Sequence, residues 1–148
     1  NQDVFRGKTI LLPCDDPEWS NFTKYFCQNF ERIGLKKLIS TSYASNSKKY
    51  KHKYQPSLFE IENPRYDKNK AKLNGKIFVL NQDKTGDGKI DINDLSWSYL
   101  KGDGDFKSDE IIKLRDDADI IITNPPFSLF RDFLAWIMEA GKDFLIIG

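Results

Sequence analysis

One stretch of this chain leaves little freedom in its fold. Asp119-Ile120-Ile121-Ile122-Thr123 is an apolar run of strand length, and Leu129 to Ala140 repeats its apolar residues at helical spacing. Between them stand Asn124, Pro125, Pro126 and Phe127. Proline fixes its φ and lacks an N–H, so neither the strand nor the helix continues through that pair. A buried strand, a rigid turn and an amphipathic helix are predicted in succession.

The rest of the chain repeats this alternation. Thr9 to Pro13 reads as a short buried strand, and Ser20 is placed to cap a helix from Asn21 to Ile33. Phe22, Tyr25, Phe26, Phe30 and Ile33 form its apolar stripe, and Gly34 stops it. Lys37 to Thr41 is a second strand. Lys76 to Leu80 and Lys89 to Ile92 flank a Gly-rich turn and are expected to pair as a hairpin. Ser96 to Lys101 is a further strand, and Ser108-Asp109-Glu110 opens a helix through Asp116 with acids at its positive end. Asp143 to Ile147 is the last strand, after a helix stop at Gly141. Strands alternating with helices predict an α/β fold with a mainly parallel sheet and right-handed crossovers. Ligands of such sheets bind beyond the carboxyl ends of the strands. Asp15, Asp16, Thr41, Ser42, Asp103, Asp105 and Asn124 all fall at such ends.

The residue types around Asn124 suit one chemistry. An aromatic amine is a poor nucleophile because its lone pair is delocalised into the ring. The Asn124 side-chain oxygen and a nearby carbonyl, that of Pro125, can both accept hydrogen bonds from such an amine. They would stabilise the positive charge that grows on it as it attacks, which is oxyanion-hole logic with the sign reversed. Prolines hold that carbonyl in place, and Phe127 offers a face for an extruded base. A plain rigid turn would leave the flanking Asn and Phe unexplained.

The run from Ile121 to Arg131, which contains Asn124, Pro125, Pro126 and Phe127, resembles the amino-methyltransferase motif of adenine-specific DNA methyltransferases. The runs from Cys14 to Phe22 and from Lys101 to Phe106 are similar to the EcoRI-methylase-like branch of that family. The resemblance covers most of the chain and is weakest from about Ala44 to Lys84. It implies a Rossmann-like class I sheet and an S-adenosylmethionine-dependent enzyme that methylates adenine N6 in DNA, as in restriction–modification. The methyl would pass directly to the amine of a flipped adenine, with no covalent enzyme intermediate. Cys14, Asp15 and Asp16 would meet the methionine portion of the cofactor. Asp103, Asp105 and Phe106 would meet its adenine, carboxylate to amino group and ring against ring. Two departures stand out: the turn after the first strand has no glycine, and Thr41-Ser42-Tyr43 lacks the acid that often holds the ribose. The family sheet has seven strands. Five are read here, with a hairpin-containing insertion at about 44–95 between the second and third. Residues 1–148 are therefore expected to be one partial catalytic domain whose unpaired sheet edge favours self-association. RNA adenine and protein glutamine remain alternative substrates; glutamine enzymes usually carry Tyr where Phe127 stands.

Composition narrows the remaining classes. The 148 residues are 39% hydrophobic and 30% charged, enough for a globular, soluble domain with a core. No apolar run approaches a membrane span, and two cysteines, Cys14 and Cys27, make no disulfide framework, so a cytoplasmic setting is expected. Net charge is +1, but it is unevenly spread. Ser47 to Lys76 holds nine Lys/Arg against three Asp/Glu, and Gln82 to Asp119 holds six against eleven. A basic stretch suits DNA phosphates, above all where Lys48 to Tyr54 interleaves bases with aromatics; an acidic one suits a cationic sulfonium. Asp83, Thr85, Asp87 and Asp94 fall at the positions of a calcium loop, with Gly88 at the turn. The preceding segment reads as strand rather than helix, so a hairpin turn is the default and a calcium-dependent interaction module the rival. His52 is the only histidine, which argues against a histidine metal site or a Ser-His-Asp triad.

Overall fold

The structure is a computed structural model that describes residues 2–13, 21–43, 73–81, 96–123, 125 and 127–146. Among them, six strands form one sheet: β1 (Thr9–Leu12), β2 (Lys37–Ser42), β3 (Lys76–Leu80), β4 (Ser96–Tyr99), β5 (Ile120–Thr123) and β6 (Asp143–Ile146). Three helices accompany them: α1 (Asn21–Gln28), α2 (Asp109–Asp117) and α3 (Phe130–Ala140). The sheet order is β4-β3-β2-β1-β5-β6. The β1–β2, β1–β5 and β5–β6 pairs are parallel, whereas β3 is antiparallel to both β2 and β4.

Alternation along the strands explains the two layers. Ile10 and Leu12 face one way and pack with Phe26, Cys27 and Phe30 of the α1 region. Leu11 faces the other way and packs with Ile111 of α2 and with Phe133, Trp136 and Ile137 of α3. The central strands β1 and β5 are buried throughout, as expected of strands covered on both faces.

The pairing of Lys76–Leu80 differs from the sequence expectation. Its partners are β2, from Leu38↔Leu80 to Ser42↔Lys76, and β4, from Lys76↔Tyr99 to Val79↔Ser96. Both of its edges are therefore taken, and a segment assigned to an insertion stands inside the sheet. The expected partner, Lys89 to Ile92, lies outside the described residues. Sequence could not favour Ser96–Tyr99 because long hairpin connections carry no turn signature that fixes register.

The first helix also ends early, at Gln28 rather than Ile33. The stop falls at Asn29: its side-chain amide joins its backbone N–H on the Tyr25 carbonyl, at 2.8 and 3.1 Å, its carboxamide oxygen accepts from Arg32 Nε at 2.9 Å, and the next N–H, that of Phe30, turns to the Cys27 carbonyl three residues back. Such local bonds compete with helix continuation. Turns carry the chain on to Gly34, whose φ of 73° is open to glycine at little cost. Phe30 and Ile33 are still buried, and Cys27 of the same helix is in the core as its helical position suggests, but Tyr25 is half exposed.

The other boundaries fall within about two residues of expectation. Ser108 caps α2, accepting from the Ile111 N–H at 3.4 Å, and Gly141 ends α3 at φ 64°. Strand β6 is the exception in burial. Phe144 and Leu145, on opposite faces, are both exposed.

Candidate active site

Strands β1, β2, β5 and β6 run in one direction, and two antiparallel steps turn β4 to the same direction. Their carboxyl ends thus share one edge of the sheet, joined by the amino end of β3. Pro13, Tyr43, the Leu100–Asp105 segment and Pro125 gather along it.

At the centre of that edge, Thr123 and Pro13 bring β5 and β1 together. The Thr123 hydroxyl donates to the Pro13 carbonyl at 3.4 Å in a buried contact. Each residue immediately precedes a predicted site segment: Cys14, Asp15 and Asp16 on one side, Asn124 to Phe127 on the other. Pro125 is buried, and Phe127 opens a short 3-10 turn, Phe127–Leu129, that leads into α3. Cys14, Asp15, Asp16, Asn124 and Pro126 lie outside the described residues, as does the Phe127 side chain. Of the expected contacts at the end of β2, Thr41 and Ser42 are buried.

Further along the edge, the Gly102-Asp103-Gly104-Asp105 turn is tightly seated. Gly104 has φ 87°, and a Cβ there would stand 2.3 Å from the Ser42 carbonyl oxygen. Only glycine permits both the conformation and the approach. Gly75 is as close to the same oxygen, 2.4 Å from its own virtual Cβ, and that Cβ would also stand 2.8 Å from Gly104 Cα. Beyond Gly104 two aspartates fold the chain back on itself. Asp103 Oδ1 accepts from the Asp105 N–H at 3.0 Å, and Asp105 Oδ1 accepts from the Lys107 N–H at 3.0 Å. Asp103 is exposed and Asp105 half-buried at this edge.

Phe106 stands differently from its expected role. Its ring is fully buried, stacked on Phe133 at 4.0 Å between centroids and meeting Trp136 edge-on at 5.6 Å. Such a ring contributes about 1.5–3 kcal/mol of burial and anchors the adjacent Asp105. The following Lys107 reaches Asp132 of α3 at 3.6 Å.

Several contributors escaped the sequence reading. Glu110 accepts from the backbone N–H groups of Lys101 and Gly102, and Asn74 donates to the carbonyls of Leu100 and Lys101. Lys76 is nearly buried at the same edge, with its ammonium 5.9 Å from the Trp97 ring centroid. Away from this edge, Arg115 in the last turn of α2 is buried against α3, where its Nη1 donates to the Trp136 carbonyl at 3.0 Å and its guanidinium lies over the Trp136 ring. Acids in the first turn of a helix usually signal dipole chemistry, so Glu110's reach back to the loop had no separate signature.

Comparison with known proteins decides the family. The family model for adenine-specific methyltransferase EcoRI matches residues 1–148. The chain belongs to the EcoRI-type adenine-specific methyltransferases. It is 40% identical over 146 residues to the Type II methyltransferase M.EcoRI of Escherichia coli, covering 99% of this chain and 39% of that protein. Against M.MpnI of Mycoplasma pneumoniae it is 36% identical over 146 residues, covering 99% and 34% respectively. Against M.MgeORF184P of Mycoplasma genitalium it is 34% identical over 147 residues, covering 99% and 35%. The chain therefore spans between 34% and 39% of the length of these relatives. No solved structure matches it. The α/β architecture with a mixed, largely parallel sheet is consistent with a methyltransferase fold. Among the described residues no cluster of His, Cys, Asp or Glu could hold a metal ion, and no helix is long and apolar enough to cross a membrane.

Proposed function

We propose that this chain forms the cofactor- and target-binding portion of a Type II DNA adenine N6-methyltransferase that uses S-adenosylmethionine. The observation that supports the reading most is the buried contact of the Thr123 hydroxyl with the Pro13 carbonyl. It joins the ends of two neighbouring parallel strands directly before the Cys14–Asp16 and Asn124–Phe127 segments. A methyl donor and its acceptor must meet within bonding reach, and adjacent strand ends provide that proximity.

The donor set suits the cofactor. Its ammonium, ribose hydroxyls and adenine amino group all donate hydrogen bonds, and the edge offers carboxylates and carbonyls to accept them. Asp15 and Asp16 serve the methionine end in this reading. Asp103 and Asp105 serve the adenine end, and Phe106 fixes Asp105 from the core rather than offering its own face. S-adenosylmethionine, when bound, supplies an electrophilic methyl group on a cationic sulfonium. The acidic balance of Gln82 to Asp119 favours that charge.

On the acceptor side, Asn124 and the Pro125 carbonyl take hydrogen bonds from the exocyclic amine of the target adenine. They stabilise the positive charge that develops on it, and Pro126 keeps the turn rigid. Phe127 stacks on the base after it leaves the duplex, which costs a few kcal/mol of unstacking and unpairing. Phosphates are met by the basic stretch from Ser47 to Lys76, which carries no sequence information of its own.

The test is a transfer assay on the full-length protein with radiolabelled S-adenosylmethionine. Duplex DNA, single-stranded RNA and a glutamine-containing protein are offered in parallel. Label on adenine N6 of duplex DNA is expected. Label confined to RNA or to glutamine would overturn the substrate assignment.

A further inference from the structure

Every backbone polar group of Leu100, Lys101 and Gly102 is engaged, four of the six by side chains. The Leu100 N–H donates to the Gly75 carbonyl at 2.8 Å, and the Gly75 N–H donates to the Gly102 carbonyl at 2.9 Å. Asn74 Nδ2 donates to the Leu100 carbonyl at 2.9 Å and to the Lys101 carbonyl at 3.2 Å. Glu110 Oε1 accepts from the Lys101 N–H at 2.9 Å, and Oε2 accepts from the Gly102 N–H at 3.2 Å. Asn74 precedes β3 and Glu110 lies in the first turn of α2, so two separate elements grip one short segment from opposite polarities.

This density of bonds is unusual for its location. Loops at a sheet edge commonly leave backbone groups to water, and Lys101 and Asp103 are exposed. Saturating three residues at a solvated edge adds little to global stability, because water could satisfy the same groups. What it removes is conformational freedom in the segment that delivers Asp103 and Asp105. Gly104, pressed on the Ser42 backbone, and Phe106, locked in the core, fix the far end of the same turn.

We propose that Asn74 and Glu110 are positioning residues that preset the Gly102–Asp105 turn for the cofactor's adenine. The role rests on the assignment of Asp103 and Asp105 to the cofactor made above. Neither residue touches the ligand; both act by keeping the turn in its competent form. Apparent affinity falls in proportion to the competent fraction. Releasing the grip so that about one-tenth of molecules hold the turn correctly would raise the dissociation constant about ten-fold.

The variants are Glu110→Gln, Asn74→Asp and their combination, in the full-length protein. Glu110→Gln sets an amide donor against backbone donors, and Asn74→Asp sets a carboxylate against carbonyls. Each is expected to raise the dissociation constant and KM for S-adenosylmethionine about ten-fold, with kcat at saturating cofactor and KM for DNA little changed. Amide hydrogen exchange without cofactor should quicken at residues 101–105 while the β1 and β5 amides stay protected. Because both residues order one turn, the double variant should lose far less than the product of the single losses. Unchanged cofactor affinity with faster exchange in the turn would overturn the positioning role while leaving the function reading intact. A loss of kcat or of DNA affinity instead would assign these residues to another step and overturn it too. Failure of the wild-type protein to bind S-adenosylmethionine would overturn the function reading and the positioning role together.

Discussion

Replacing Gly104 with alanine should destabilise the fold, and the structure gives the size of the effect. The added Cβ would lie 2.3 Å from the Ser42 carbonyl oxygen and 3.0 Å from both the Ser42 carbonyl carbon and Tyr43 Cα. These are backbone atoms at the end of β2, held in register by pairing of Ser42 with Lys76. They cannot swing away as a flexible side chain would. Forcing an L-residue to φ 87° adds roughly 1–2 kcal/mol. The clash adds about 1–3 kcal/mol if it behaves as overpacking of a well-filled site. A total near 2–5 kcal/mol corresponds to a fall in Tm on the order of 5–15 °C for a domain of this size. Gly102→Ala supplies the control, since its Cβ would meet nothing closer than Glu110 Oε2 at 3.8 Å. Thermal unfolding followed by circular dichroism should show a large drop for the first variant and a shift within a degree or two for the second. Equal shifts, or no shift at Gly104, would refute the close-packed turn.

Other expectations follow from the same contacts. Arg115→Ala should cost about 2 kcal/mol, because it strips the buried Trp136 carbonyl of a donor. Glu139→Gln should cost almost nothing, since that partner is 74% exposed and screened; urea titration of both variants checks the contrast. Calcium should leave Tm unchanged, whereas a ligand specific to the fold adds about 2.7 kcal/mol at a hundredfold excess over Kd. A calcium-dependent rise that disappears in Asp87→Ala would favour a calcium loop at Asp83 to Asp94. Residues 1–148 alone should show weak, salt-sensitive DNA binding and little site-specific methylation, read by label transfer to mixed-sequence DNA. The exposed Phe144 and Leu145 on edge strand β6 should also promote association, visible as concentration-dependent light scattering.

Much of the architecture was legible because single residues report it. Runs such as Ile120-Ile121-Ile122 demand cover on both faces, and Ser108 and Gly141 mark helix ends by backbone chemistry that acts locally. Interactions between distant segments left weaker traces. Nothing in Lys76–Leu80 says that β2 will take one edge and Ser96–Tyr99 the other. Asn29 reads as an ordinary helical residue until its amide is seen on the Tyr25 carbonyl. At the site, the Gly-Asp-Gly-Asp sequence announced a turn, and the family resemblance tied it to the cofactor. The burial of Phe106 against Phe133 and Trp136 needed both the turn and α3 in place before it could be read. Asn74 and Glu110 were invisible for the same reason, being 36 residues apart in sequence and joined only through the turn they hold.

In the proposed mechanism the amide of Asn124 acts on the target amine and not on the cofactor. Single-turnover methyl transfer by the full-length protein, measured beside calorimetric binding of S-adenosylmethionine, tests it most directly. In Asn124→Ala the transfer rate should fall by about 10²–10³-fold, the usual consequence of removing one hydrogen bond that stabilises developing charge. The dissociation constant for the cofactor should stay within about two-fold of the wild-type value. Wild-type transfer in that variant, or a loss of cofactor binding that accounts for the whole defect, would rule out this role for Asn124.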